Sequence, residues 1–181
     1  NRVRTATRAD RRDSYSKDLL LFCFGINSFL RISDILKLKW TDVYTKGGHL
    51  RKSYDLKEKK TGKTKTVYFN EAVAAAFEEY LNTVPMVDYT SDEFVFKNKS
   101  GEQLGDESVN RLMKLLMKEC RIEDNLSTHT MRKTAAYWTY RNTNNLALVQ
   151  KLLNHRSSAE TLRYICIDQE QMEEAYCTLN L

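Results

Sequence analysis

LNHRSSAETLRY, residues 153–164, holds the reading on which the rest of the chain turns. It reads as the end of one helix, roughly 146–153, and most of another, roughly 158–165, and it sets His155 and Tyr164 nine positions apart. A tyrosine on a helix is ordinarily a core aromatic with a polar tip. Whether the Tyr164 hydroxyl is something more depends on what the chain places around it.

Upstream, STHTMRKTAAYWTYR (127–141) reads as another helix, capped by Ser127 or Thr128. Before that, Asp106 is expected to cap a helix with Val109, Leu112, Met113 and Leu116 at helical spacing. DEFVFKNKSGE is a short strand and a turn. Asn70 caps a helix with Val73, Phe77, Tyr80, Leu81 and Val84 on one face, ending near Pro85. Between Trp40 and Phe69, Gly47–Gly48 and Thr61–Gly62 punctuate β-branched and aromatic residues such as Tyr54, Val67 and Tyr68, which predicts two or three antiparallel strands. Residues 14–29 are apolar enough for a buried helix, and RISDILKL continues as a second, with Arg31 at its start. Asp168 to about Leu179 forms a last helix with Met172, Ala175, Tyr176 and Leu179 on one stripe. The expected fold is mainly α with a small antiparallel β-sheet (α+β), a single domain over 1–181.

The chain has 181 residues, 41% hydrophobic and 29% charged with a single proline, which excludes disordered and fibrous classes. Lys and Arg outnumber Asp and Glu 29 to 24, a net charge of +5 that favours a polyanionic partner. Cys23, Cys120, Cys166 and Cys177 have no paired or regular spacing, so neither a disulfide framework nor a zinc site is expected, and a reducing cytoplasm fits. The apolar run DLLLFCFGI is far too short for a membrane helix, which needs about 20 residues. No cluster of carboxylates of the kind two-metal nucleases use is present, so no metal or other cofactor is expected.

Read singly, the polar residues say little. A lone histidine such as His129 or His155 is more often a structural residue than a catalyst. Arg31 could form a surface ion pair with Asp34. The lysines at 57, 59, 60, 63 and 65 crowd one hairpin, and such a hairpin is usually a solvated edge that blocks strand pairing.

Taken in order, LRISD with Arg31, KKTGK with Lys60, HTMRKT with His129 and Arg132, LNHRSS with His155 and TLRY with Tyr164 form a set. That set resembles the tyrosine recombinases, or phage integrases, especially the small integrases of bacterial phages and transposable elements. The resemblance runs from about Ser14 to Tyr176 and implies a site-specific recombinase, a metal-independent enzyme that cleaves and rejoins duplex DNA through a covalent 3′-phosphotyrosine. Arg31 and Arg132 would clamp the phosphate, with His129 and His155 as further donors or proton managers. Lys60, or Lys63 in its place, would be general acid, and Tyr164 the nucleophile. The chemistry is sound residue by residue: guanidinium forks match phosphate oxygens bidentately and stay charged. A phenol with a pKa of about 10 needs nearby cations or a base.

The resemblance further implies that Lys59, Lys63, Lys133 and Arg156 bind flanking DNA phosphates. It implies a homotetramer on DNA from protomers monomeric in isolation, and a bacterial, DNA-associated location. An N-terminal clamp domain of the family is expected to be missing here, and 168–181 to be an exchange tail docking on a neighbour, with docking on its own protomer as the alternative. Two other readings stay open at this stage: an inactive or regulatory DNA-binding domain of the same fold, and a type IB topoisomerase. The sequence departs from the family pattern at Phe29 and Asn154, both common glycine positions, and at Lys133, where histidine is frequent.

Overall fold

The structure, a computed structural model, describes residues 8–58, 62–84, 87–122, 127–165 and 176–179. In chain order they form α1 (Arg8–Asn27), α2 (Ile32–Ile35), α3 (Trp40–Val43), β1 (Ser53–Lys57), β2 (Thr64–Tyr68), α4 (Glu71–Leu81), α5 (Asp106–Glu119), α6 (Thr128–Thr143), α7 (Leu146–Leu153) and α8 (Ser158–Ile165). The expected class, mainly helical with one small antiparallel sheet, is what is found. The chain divides into two compact units after Arg132, inside α6.

The first unit is built on α1 packed against α4. Asn70 caps α4 as its sequence requires, its Oδ1 accepting from Val73 N–H at 3.0 Å, and the stripe Val73, Ala76, Phe77, Tyr80 is buried. Phe24 from α1 meets Phe77 edge-on (6.3 Å between centroids) and Phe69 at a tilt (6.0 Å). Complete burial of rings such as Phe24 and Phe77 contributes about 2–3 kcal/mol each. Gly25 lets α6 come close: a Cβ there would lie 2.5 Å from Met131 Sδ, one residue before Arg132.

Strands β1 and β2 pair antiparallel from Ser53↔Tyr68 to Lys57↔Thr64. Tyr54 and Val67 face each other and are buried, and Tyr54 stacks on Phe69 at 5.7 Å. The hairpin closes with Glu58 N–H donating to Lys63 O (3.0 Å) and Gly62 N–H to Glu58 O (2.9 Å). Gly62 takes φ +68°, a left-handed conformation that glycine adopts without steric cost.

Three local expectations are corrected. The two strands meet the expectation of two or three, but DEFVFKNKSGE, expected as a short strand and a turn, gives only the isolated bridges Lys39↔Phe94 and Lys97↔Gln103. RISDILKL is one short turn of helix, with Trp40 opening a separate one. Gly105, already extended at φ −86°, ψ 152°, is the N-cap of α5, so Asp106 sits in the first turn beside Glu107, where carboxylates favour the positive helix end.

In the second unit α7 packs against α8. Asn145 caps α7 through Oδ1 to Leu148 N–H (2.9 Å). Val149 and Leu153 on α7 and Thr161 and Ile165 on α8 are buried. Of the expected last helix and its stripe, Met172 and Ala175 lie outside the described residues, while Tyr176 and Leu179 are exposed.

Candidate active site

Arg31 is delivered by a bend. Phe29 has φ +57°, a conformation that costs an L-residue with a Cβ about 1 kcal/mol or more. Leu30 N–H then donates to Ser28 Oγ (3.4 Å), and Arg31 caps α2 in an extended conformation, its carbonyl accepting from Asp34 N–H and Ile35 N–H. The ion pair seen for Arg31 reaches across the fold: Nη1 donates to Glu58 Oε2 at 3.2 Å. Asp34, the surface partner that spacing offered to Arg31, is instead buried in the first turn of α2.

Lys65 joins this group from β2. Its Nζ donates to the carbonyls of Ser28 (3.4 Å) and Phe29 (3.5 Å) and lies 5.5 Å from the centre of the Phe29 ring. Burial lowers its pKa to about 8, with Arg132 and Arg31 pushing the same way and Glu58 and Asp34 opposing them. Arg132, on the first part of α6, is one of the largest fully buried side chains of the protein. Three cations and two carboxylates are thus gathered in the first unit. His129, one turn before Arg132, is exposed.

Lysine was expected to reach this site from the hairpin tip. Lys59 and Lys60 lie outside the described residues, and Lys63 is exposed. Lys65 could have been singled out by strand alternation: two residues from buried Val67, it shares that residue's face. Glu58 carried no sequence signal beyond being a charge among lysines.

In the second unit, Asn154 ends α7 in the left-handed region (φ 57°, ψ 35°), with its own N–H and that of His155 turned back to the last carbonyls of the helix. Asparagine tolerates this conformation, so the missing glycine before the histidine costs little. The imidazole of His155 is almost wholly enclosed. Its Nδ1 lies 3.1 Å from Thr161 Oγ1, and that hydroxyl donates to Ser157 O (3.4 Å). The other ring nitrogen, Nε2, lies 3.6 Å from a Glu160 carboxylate oxygen, so the imidazole is held between Thr161 and Glu160.

Tyr164, three residues after Thr161 on α8, meets the His155 ring edge-on at 4.8 Å and 74°. It is half-buried, and Lys133 Nζ lies 6.0 Å from its ring centre. Lys133 and Arg156 are exposed. The structure thus groups Arg31 and Arg132 with Lys65 in one unit and His155 with Tyr164 in the other.

The family profile described as Phage integrase family matches residues 3–171. The chain belongs to the phage integrase family. To one member, the probable integrase/recombinase YoeC of Bacillus subtilis, it is 36% identical over 161 residues, covering 88% of this chain and 83% of that protein. Tyrosine recombinase XerC of Caldanaerobacter subterraneus is 27% identical over 161 residues, covering 88% of this chain and 44% of the relative. The chain spans about half the length of the XerC and XerD relatives it matches. Among solved structures, the XerH site-specific recombinase bound to its palindromic difH substrate in a post-cleavage complex superposes with a TM-score of 0.73 at 22% identity, over 92% of this chain and 46% of that one. The tyrosine recombinase class that the motifs implied is therefore the class of its relatives, and the fold is that of a tyrosine recombinase.

Proposed function

We propose that this phage integrase family chain cleaves and rejoins duplex DNA at specific sites through a covalent 3′-phosphotyrosine on Tyr164. The observation that carries the reading is a buried arginine, Arg132, charged beside Arg31 and Lys65. Such a concentration of cations is poorly matched to packing and well matched to a phosphate whose non-bridging oxygens gain charge during attack.

With DNA bound, the Tyr164 oxygen attacks the phosphorus. Its proton passes to His155, and the bond from phosphorus to the 5′ oxygen breaks. The departing oxygen takes a proton from a lysine of the hairpin, Lys60 or Lys63. Arg31, Arg132 and His129 donate to the phosphate oxygens, and the phosphotyrosine conserves the bond energy for joining a second end. Lys59, Lys63, Lys133 and Arg156 hold flanking phosphates. The protein acts as a tetramer on DNA in the bacterial cytoplasm, its C-terminal segment exchanged between protomers; no helix among the described residues is long and apolar enough to cross a membrane.

The test is a nicked suicide duplex resolved on a denaturing gel. Wild-type protein leaves a covalent adduct on the 3′ end, Tyr164→Phe leaves none, and chelator changes neither result. An adduct that persists in Tyr164→Phe refutes the assignment, and relaxation of supercoils indifferent to sequence would indicate a topoisomerase.

A further inference from the structure

Glu58 is a charged group of the first-unit cluster that the reading above leaves without a role. It is 1% exposed, at the foot of the hairpin, and its backbone makes both hydrogen bonds that close the hairpin against Lys63 and Gly62. Those bonds fix where its side chain starts. Its carboxylate takes one donor of Arg31, Nη1, at 3.2 Å, and while the Glu58 side chain is fully buried, that of Arg31 keeps 19% of its surface. The carboxylate therefore lies on the inner side of the guanidinium. Donors remain on the outer side, since a guanidinium carries five N–H groups in a planar fork. Around the pair, the groups that act on Lys65 are Arg31 and Asp34 from α2 and its cap, Glu58 from the end of β1 and Arg132 from α6, with the Ser28 and Phe29 carbonyls on its ammonium.

We propose that Glu58 is a positioning residue for the phosphate site: it grips Arg31 by the inner edge so that the outer edge is presented to the DNA phosphate, and it supplies the counter-charge that lets Arg31, Lys65 and Arg132 stay charged together before DNA arrives. This rests on the reading of Arg31 and Arg132 as a phosphate clamp. A carboxylate that competed with DNA for Arg31 would sit on the open side and swing away. Glu58 sits on the closed side, anchored by the hairpin. Its loss should weaken the site.

The charge balance can be read without DNA. Burial and two arginines already hold the Lys65 pKa down at about 8, with Glu58 the larger of the two opposing influences. Glu58→Gln keeps the shape and removes the charge, so the Lys65 titration followed by NMR of its side-chain carbon should move to lower pH, by about one unit or more for a close charge. Glu58→Asp keeps the charge and should restore most of the shift. Thermal unfolding of both variants confirms that they are folded. In the suicide-duplex assay, Glu58→Gln should form adduct at least about 10-fold more slowly (about 1.4 kcal/mol in barrier), and Glu58→Asp should recover part of the rate.

A folded Glu58→Gln protein whose Lys65 titrates as in wild type overturns the proposal, as does faster adduct formation, the mark of a competitor. If wild type forms no adduct but the Lys65 shift appears and is restored by aspartate, the recombinase reading fails while the charge-balancing role of Glu58 stands.

Discussion

Thr161→Val isolates the contact that fixes His155. The Thr161 hydroxyl is fully buried, 3.1 Å from His155 Nδ1, and valine has nearly the same shape, so the exchange creates no cavity. What it removes is the hydrogen-bond partner of Nδ1 on an enclosed ring, and an unsatisfied buried polar group costs about 1–3 kcal/mol. The long bond to Ser157 O is lost as well, but its carbonyl lies near the exposed start of α8 and water can replace it. For a chain of this size, 1 kcal/mol corresponds to a shift of about 2–4 °C, so the melting temperature should fall by about 2–12 °C. The imidazole also loses a contact that sets its tautomer, and nitrogen NMR should show the proton redistributed between Nδ1 and Nε2. In the adduct assay the rate should drop by about 10-fold or more, since the ring that takes the Tyr164 proton is no longer held in one orientation and tautomer. Stability within about 0.5 kcal/mol of wild type, together with an unchanged His155 tautomer, would refute the hydrogen-bond assignment.

Other outcomes follow from the same geometry. Folded Lys65 gives up its proton near pH 8 and the unfolded lysine near pH 10.4, so the unfolded chain binds more protons across that window and stability rises with pH through it; urea denaturation should show Lys65→Met lacking this rise and gaining up to about 3 kcal/mol at pH 7 relative to wild type. Arg31→Ala and Arg132→Ala should abolish adduct formation while leaving DNA binding in gel-shift assays largely intact, and Arg31→Ala should also cost about 3–5 kcal/mol in urea denaturation because it strips the paired cation from the buried Glu58 carboxylate. DNA affinity should fall steeply with salt, and Lys63→Ala, Lys133→Ala and Arg156→Ala should each lower the log–log slope by about one, measured by titration at several salt concentrations.

Helices whose signals are local were legible in the sequence. Asn70 with its stripe marks α4, and α7 and α8 fall where LNHRSSAETLRY places them. The ordered motifs identified Arg31, Arg132, His155 and Tyr164 as candidates, and the structure sets Arg31 and Arg132 in one cluster and His155 against Tyr164. What was hidden depends on contacts across the fold. Glu58 meets Arg31 27 residues away, and nothing local distinguishes its carboxylate from those that face water. Lys65 was lost in a crowd of lysines because a turn and a strand are read with different periods, and only the strand's alternation turns it inward. Thr161 is an unremarkable helical threonine until the turn at Asn154 brings His155 over it.

The two bends without glycine have opposite meanings for anyone redesigning this enzyme. A redesign guided by backbone preference alone would write glycine at both 29 and 154. At 154 the exchange is nearly silent, because asparagine already accepts the shape and its main-chain bonds would survive. At 29 the same exchange relaxes the loop but strips away the aromatic face against which the Lys65 ammonium rests, trading a tolerated local distortion for a looser cation beside the arginines.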